Sequence, residues 1–137
     1  MIEKHPTIDA QATFIYTEDV DATTPFYSDT LGLELAYEQV NPGATNRFYY
    51  VGPSSFIGIC FARPGRYVEP KGVVFTFLTS DVDGWYERVT SRGATPEGPP
   101  TLGKSAYAFF IRDPNGYLLE FQKFVDPAWP GPKGFDA

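Results

Sequence analysis

The sequence predicts an α+β fold in which a strand, a helix and three further strands occur twice. The first observation is a repeat: residues 17–22 (TEDVDA) recur as residues 79–84 (TSDVDG), 62 positions later in a chain of 137 residues. The second is its setting, because each copy follows a short segment of strand composition and opens a helix-like segment that closes on a glycine, Gly32 or Gly93. A duplicated strand–helix unit therefore organises the chain.

The first strand and helix are predicted from local chemistry. Residues 12–17 mix aromatic and β-branched side chains, which strands prefer. Asp19 or Asp21 then caps a helix over residues 20–30, because a carboxylate accepts hydrogen bonds from the free amides at a helix start. Gly32 provides the left-handed exit. The buried face of this helix is predicted to consist of Val20, Tyr27 and Leu31.

Three strands follow in the first module. They are predicted at residues 33–38, 47–51 and 56–61, with turn sequences rich in proline, glycine and serine between them. Residues 62–71 carry two prolines and one glycine and are the predicted linker. The first module thus covers about residues 10–62.

The second module, about residues 72–125, begins in the same order. A strand is predicted at residues 72–78 and a helix at 82–91, followed by a short strand from Ala94. Residues 96–103 (PEGPPTLG) are predicted to form an irregular loop because proline and glycine interrupt regular structure. The predicted buried face of the helix is Val82, Tyr86 and Val89.

A hairpin ends the second module. Its strands are predicted at residues 106–111 and 117–124, around the turn sequence of residues 113–116 (DPNG), because an Asn-Gly pair supports positive φ. The tail, residues 126–137, is predicted to be irregular. The whole chain is therefore interpreted as a single domain.

Composition narrows the functional classes. The net charge of −6 disfavours a nucleic-acid partner, which needs basic patches. No apolar stretch is long enough to span a membrane, and the N-terminus lacks the apolar region of a signal peptide. With Cys60 alone, no intrachain disulfide forms, so a cytoplasmic location is expected. Arg47, Arg63 and Arg66 are interpreted as surface charges.

Two motifs carry a family resemblance. Residues 26–32 (FYSDTLG) follow the first strand, and residues 113–121 (DPNGYLLEF) lie near the end of the second module. Together with the repeated order of elements, they resemble the vicinal oxygen chelate superfamily, which includes glyoxalase I, ring-cleaving dioxygenases and bleomycin-resistance proteins. The resemblance covers about residues 10–125. It implies curved mixed sheets that cup a cavity, commonly completed by homodimerisation.

The resemblance also implies where a metal site lies in the enzymes of the family. Its ligand positions fall on Ala12 and Val74 in the first strand of each module, near Cys60, and on Glu120. Alanine and valine carry no donor, and a stable divalent site needs about three or more protein donors. We therefore predict no metal, no other cofactor and no catalytic residue, while His5, Cys60 and Glu120 remain open as unusual ligands.

Period-two alternation selects a candidate site. Ala12, Phe14 and Tyr16 share one strand face, and the resemblance implies that this face lines the cavity. In the second module the same alternation predicts that Val74, Thr76, Leu78, Leu118, Glu120, Gln122, Tyr107 and Phe109 face the cavity. Trp85, on the second helix, is predicted to lie at a groove or a dimer seam. The predicted ligand-binding residues are Phe14, Tyr16, Thr76, Leu78, Trp85, Tyr107, Phe109, Glu120 and Gln122.

An aromatic content of 17% suits core packing, an interface or a ring-stacking pocket. The favoured hypothesis is a non-catalytic homodimer that sequesters a hydrophobic or aromatic antibiotic or metabolite, as in drug resistance. The alternative is a lyase, isomerase or dioxygenase with an atypical or absent metal site, or a metal-free catalyst with Glu120 as base. A third hypothesis is an interaction module whose aromatic face only forms the dimer.

Overall fold

The computed structural model describes residues 5–131, which form two compact units divided between Glu69 and Pro70. The boundary lies within the predicted linker, residues 62–71. Each unit holds a four-stranded mixed sheet and a helix, so the predicted α+β class is confirmed. Part of the predicted tail, residues 132–137, lies outside the described residues. Among residues 5–131, no helix has the length and apolar character needed to span a membrane.

The first unit follows the predicted order. Its sheet has the strand order β1-β4-β3-β2, with β1 parallel to β4 and the remaining neighbours antiparallel. The helical segment between β1 and β2 continues beyond α1 as a π-helix, Phe26–Thr30. The elements are β1 Gln11–Thr17, α1 Val20–Pro25, β2 Leu35–Gln39, β3 Asn46–Val51 and β4 Ser55–Phe61.

The second unit repeats this topology. Its sheet has the order β5-β8-β7-β6, and again the first and last strands of the unit are parallel neighbours. The elements are β5 Val74–Leu78, α2 Val82–Ser91, β6 Thr101–Leu102, β7 Ala106–Arg112 and β8 Leu118–Phe124.

The two parallel strand pairs have the same register, so the duplication can be followed residue by residue. In the first unit Phe14 pairs with Gly58, and in the second Thr76 pairs with Glu120. Each member of the second pair follows its counterpart by 62 positions, the offset of the sequence repeat. The predicted duplication is therefore confirmed in the hydrogen-bonded ladders as well as in the order of elements.

Aspartates begin both helices. Asp19 Oδ1 accepts a hydrogen bond from the Ala22 amide at 3.0 Å, and Asp81 Oδ1 accepts one from the Gly84 amide at 2.9 Å. Of the two candidates for the first cap, Asp19 is thus the cap, while Asp21 forms an ion pair. The glycines that end the helical segments have φ of 76° at Gly32 and 86° at Gly93, as predicted.

The predicted helix over residues 20–30 changes geometry at Pro25. Proline has no amide proton and its ring crowds the preceding turn, so a regular ladder is interrupted there. The following residues are π-helical, and the Leu31 amide donates to the Phe26 carbonyl at 2.9 Å. Tyr27 and Leu31 are fully buried, as predicted.

One predicted strand is wrong. No strand begins at Ala94, whose amide instead donates to the Val89 carbonyl and ends α2. The short strand β6 lies inside the segment predicted to be irregular, residues 96–103. It follows the last proline of that segment, where the amides of Thr101 and Leu102 are free to pair with β7.

Each helix covers one face of its sheet. In the first unit Tyr27 stacks against Tyr49 of β3, and in the second Tyr86 contacts Phe109 of β7. We call the other side of each sheet its open face. The largest fully buried apolar side chains are Tyr27, Leu31, Ile57, Ile59, Val82, Val89, Phe109, Ile111, Leu119 and Phe121.

Candidate functional site

The open face of the first sheet exposes large aromatic side chains. On β1 the prediction that Ala12, Phe14 and Tyr16 share a face is confirmed, because their neighbour Ile15 is only 3% exposed whereas Phe14 is 51% exposed. Tyr16 is half-buried on the same face, opposite Cys60 in the register. An apolar ring that is half open to water can gain contact area from a ligand.

Three rings from three strands form what we call the aromatic strip: Phe14 of β1, Phe48 of β3 and Tyr37 of β2. The Phe14 and Phe48 rings meet edge to face with centroids 5.5 Å apart. Phe48 and Tyr37 are stacked at 5.7 Å, and Tyr37 is 59% exposed. Edge-to-face and offset arrangements are the favourable ones for aromatic pairs. The strip is thus a ready stacking surface that crosses the sheet.

Gly58 permits the Phe14–Phe48 contact. It lies on β4 between the two residues, paired with Phe14 on one side and Phe48 on the other. A Cβ atom at this position would lie 2.7 Å from the Phe14 ring and 2.8 Å from the Phe48 ring. Gly58 is not among the predicted site residues, although a glycine inside a strand is a signal that another group approaches closely.

The open face of the second sheet carries a carboxylate between two hydrogen-bond donors. The Thr76 hydroxyl donates to Glu120 Oε1 at 2.8 Å, and the Gln122 amide donates to Glu120 Oε2 at 2.8 Å. We call these residues the carboxylate triad. Val74 and Leu78 are about half exposed beside Thr76, and Phe110 is 37% exposed on the adjoining strand. This face therefore presents a fixed negative group within an apolar surface.

Three predicted site residues lie on the helix side of the second sheet. Phe109 is 1% exposed and contacts Tyr86 and Phe121, with centroids 5.4 and 5.2 Å away. Trp85 stacks on Phe121 at 4.7 Å. The Tyr107 hydroxyl donates to Asp83 of α2. The predicted placement of Tyr107 and Phe109 beside Glu120 is therefore wrong, and Trp85 does not join that group.

The β7 residues that do share the open face are the neighbours of those predicted. Phe110 pairs with Glu120 and Ala108 pairs with Gln122. Phe110 is thus a site candidate that the sequence analysis missed. Phe48 and Tyr37 were missed as well, although each pairs across the first sheet with an open-face residue.

The residues at the family's metal positions do not fit a divalent ion. Since Glu120 corresponds to Gly58 through the 62-residue offset in the ladders, the equivalent position in the first module is Gly58, not Cys60. Together with Ala12 and Val74, these four positions offer one carboxylate, where a metal needs about three donors. Over residues 5–131, no three His, Cys, Asp or Glu side chains are grouped so that they could hold a metal ion.

The two other open candidates have ordinary surroundings. The exposed His5 ring has its Nδ1 2.5 Å from the Pro6 carbonyl oxygen. Cys60 is buried, and burial raises the pKa of its thiol, against a smaller lowering by Arg63. A thiol with a raised pKa is a poor metal ligand and a poor nucleophile at neutral pH.

Comparison with known proteins gives a consistent assignment. Residues 9–121 match the model of the family described as the glyoxalase/bleomycin resistance protein/dioxygenase superfamily. A lactoylglutathione lyase of Haemophilus influenzae is 26% identical over 124 residues, covering 80% of this chain and 87% of that protein.

Two solved structures are similar over most of the chain. One is a glyoxalase/bleomycin resistance protein/dioxygenase from Nocardioides, with a TM-score of 0.71, 25% identity and coverage of 97% of this chain and 93% of that one. The other is TnmS3, an antibiotic binding protein from Streptomyces sp. CB03234, with a TM-score of 0.71, 20% identity and coverage of 90% and 98%. At that identity, the second likeness concerns the fold alone.

Proposed function

Because this chain belongs to the glyoxalase/bleomycin resistance protein/dioxygenase superfamily, we propose that it binds a hydrophobic or aromatic small molecule, an antibiotic or a metabolite, without making or breaking a bond. Binding lowers the free concentration of that molecule by mass action, which is the basis of resistance or self-protection. The use of this fold by TnmS3, described as an antibiotic binding protein, supports the proposal.

The observation that carries the proposal is the aromatic strip. Phe14 and Tyr37 keep about half of their surface open although each already contacts Phe48. Large exposed apolar groups that are held in fixed geometry commonly mark a binding surface. A planar ring system placed on the strip buries apolar area of the ligand and of the protein. The protein loses little side-chain entropy on binding, because its rings are already held in position.

The carboxylate triad gives the proposed binding protein a second kind of contact. Glu120 is held by Thr76 and Gln122, so its charge has a fixed position. A fixed carboxylate accepts hydrogen bonds from an amine or hydroxyl, whereas the surrounding apolar groups contact the ligand body. In this proposal the protein acts as a cytoplasmic homodimer and uses no metal or other cofactor.

A specific observation favours one enzymatic alternative. The relative from H. influenzae is described as a lyase, and Glu120 occupies the single ligand position of the family that retains a donor. In this alternative Glu120 acts as the base in a metal-free proton transfer. Glu120→Gln separates the two functions, because it abolishes turnover by an enzyme but only weakens binding by a sequestering protein.

The proposed function is tested by calorimetric titration with two planar aromatic probes, anthraquinone and acridine orange, and with the antibiotic bleomycin. We expect at least one probe to bind, and Phe14→Ala or Phe48→Ala to raise its Kd about 5- to 10-fold through lost stacking. The control is Tyr107→Phe, which keeps an aromatic ring on the opposite side of the second sheet. Binding that is equal in the parent and both alanine variants contradicts the site.

A further inference from the structure

The predicted linker segment, residues 62–71, contains a two-residue hairpin within the first unit that holds two arginines opposite each other. The Arg66 amide donates to the Arg63 carbonyl at 2.7 Å, and the Arg63 amide donates to the Arg66 carbonyl at 2.9 Å. Pro64 and Gly65 occupy the two turn positions, and Gly65 has a φ of 83°, which fits a type II turn. The turn sequence therefore fixes the positions of both arginines.

This pairing brings two positive side chains onto the same face of the hairpin. Directly paired residues have Cβ atoms about 4.5–5.5 Å apart, and like charges at such positions destabilise the pair. Within residues 5–131, neither Arg63 nor Arg66 forms an ion pair with a carboxylate. The contact available to Arg66 is with the turn itself, since its Nη1 donates to the Gly65 carbonyl at 2.9 Å. Glu18 lines the same cleft, and among the described contacts neither arginine forms an ion pair with it.

The two arginines border a cleft within the first unit. Its volume is about 420 Å³, which is within the range of small-molecule sites, roughly 300–1,000 Å³. Its walls combine the two cations with one carboxylate, that of Glu18, and with aromatic and aliphatic groups. Tyr67 is 68% exposed there. The lining residues are Glu18, Phe61, Ala62, Arg63, Arg66, Tyr67 and Val68.

We propose that this cleft binds an aromatic molecule that carries a carboxylate or phosphate group. The guanidinium groups match the planar oxygens of such an anion, while Tyr67 and Phe61 contact the ring. An anion reduces the repulsion expected between two paired arginines, so binding is favoured by charge neutralisation as well as by ring contact, against repulsion from the single Glu18 carboxylate. The cleft uses neither the aromatic strip nor the carboxylate triad, and it is a site additional to the proposed function.

The probes for this site are naphthoate, phenyl phosphate and inorganic phosphate, with naphthalene methanol as the neutral counterpart, titrated calorimetrically into the full chain. We expect naphthoate or phenyl phosphate to bind with one site per chain. Kd should rise about tenfold in Arg63→Gln and in Arg66→Gln, and it should rise on increasing NaCl from about 20 to 200 mM. Whichever anion binds more tightly identifies the acidic group.

Arg92→Gln is the matched control, because it removes the same charge from the exposed end of α2. It should leave the Kd of the anions unchanged. The proposal is overturned if no aromatic anion binds, if naphthalene methanol binds as tightly as naphthoate, or if inorganic phosphate binds as tightly as phenyl phosphate.

Thermal unfolding of the ligand-free protein at low salt separates binding from a structural role. Because the two cations repel each other, Arg63→Gln should unfold at the same temperature as the parent or higher, and the anion should no longer raise that temperature. A lower unfolding temperature with anion binding intact contradicts the proposal. Phe14→Ala should leave anion binding unchanged, so this site and the proposed function can fail independently.

Discussion

At the scale of single residues, Gly58 decides whether the aromatic strip can form. Elsewhere in a strand, alanine is favoured over glycine by roughly 0.5–1 kcal/mol, because glycine loses more conformational freedom on folding. At position 58 a Cβ atom would lie 2.7 Å from Phe14 and 2.8 Å from Phe48, and both contacts are with ring atoms rather than with flexible chain ends. The steric cost of moving two rings therefore outweighs the gain in propensity.

We predict that Gly58→Ala lowers the free energy of unfolding by about 1–3 kcal/mol, as overpacking typically does. It should also weaken the binding of planar aromatic probes, because the two rings are displaced. Urea denaturation and probe titration measure both effects. The control is Gly103→Ala, whose Cβ would meet the nearest atom, the Ala106 carbonyl oxygen, at 3.5 Å. A Gly58→Ala protein as stable as the parent would contradict the close packing described.

Tyr107 gives a prediction about pH. Its hydroxyl donates to Asp83, and this hydrogen bond, with smaller contributions from burial and from the charge of Asp83, raises the pKa of Tyr107. The phenol ionises at about 10 in the unfolded chain. Because the folded pKa is raised, the stabilisation is fully present below about pH 10 and is lost as pH rises through the folded value.

The difference in unfolding free energy between the parent and Tyr107→Phe should therefore be constant from about pH 7 to 9 and shrink above about pH 10. Denaturant unfolding of both proteins at matched pH measures this difference, and the comparison cancels the titration of the other tyrosines. Asp83→Ala should return the pKa of Tyr107 towards its ordinary value. A difference that grows with pH would contradict the assignment of the Tyr107 hydroxyl as the donor to Asp83.

At the scale of elements, β7 shows why part of the site was not predictable. Its sequence, AYAFFIR, has aromatic residues at both parities, so period-two alternation alone does not decide which face is buried. The decision comes from pairing: Phe109 lies opposite Phe121, which α2 covers, and Phe110 lies opposite Glu120. By contrast, the faces of β1 were predictable because its aromatic residues, Phe14 and Tyr16, lie at one parity only. The alternate residues Ile15 and Thr17 are buried beneath the helix.

Arg47 holds three elements together, a role that its interpretation as a surface charge missed. From β3 its Nε donates to Glu38 of β2 at 2.7 Å, its Nη2 lies 2.8 Å from Asp21 of α1, and its Nη1 donates to Thr24. Hydrogen bonds first to Glu38 and then to Asp21 raise the pKa of Arg47. Its side chain is 22% exposed, so solvent screens these contacts only in part.

We predict that Arg47→Lys lowers the free energy of unfolding by about 1–2 kcal/mol, because an ammonium group cannot reproduce a fork that serves three acceptors. The control is Arg112→Lys. Arg112 serves two acceptors, Glu97 and the Gly116 carbonyl, and both members of the ion pair are about half exposed. Arg112→Lys should lower the free energy of unfolding by less than about 0.5 kcal/mol, because exposed ion pairs contribute little to stability. Equal losses in the two variants, measured by urea denaturation, would contradict the bridging role of Arg47.

At the scale of the whole molecule, the duplication was the most predictable property. Recognising a repeat at an offset of 62 residues requires only that two stretches of sequence resemble each other. In the structure, the paired residues of the two parallel ladders keep the same offset. The loss of family metal donors at Ala12 and Val74 could also be predicted, because it concerns residue type alone. The correspondence of Glu120 with Gly58 needed the register, since nothing in the residue types identifies a glycine as the counterpart of a glutamate.

The charge of the whole chain favours cationic ligands over anionic ones at long range. The chain carries a net charge of −6, and the carboxylate triad adds a fixed negative group on an open face. Long-range attraction therefore favours a cationic aromatic ligand on its approach to this protein, and salt screens it over a Debye length that falls from about 30 Å at 0.01 M to about 8 Å at 0.15 M. An anionic ligand is repelled at long range even where a local pair of arginines receives it.

In stopped-flow experiments we expect the association rate of acridine orange, a cation, to fall about threefold or more between roughly 10 and 200 mM NaCl. The rate for neutral anthraquinone should not change, and Glu120→Gln should reduce the salt dependence for the cation. The association rate of naphthoate should instead rise with salt as this repulsion is screened, while its dissociation rate rises more because the arginine contacts weaken, so that its Kd still increases. Because the net charge acts on approach and single contacts act on dissociation, a salt effect confined to the dissociation rate would assign the selectivity to the triad alone.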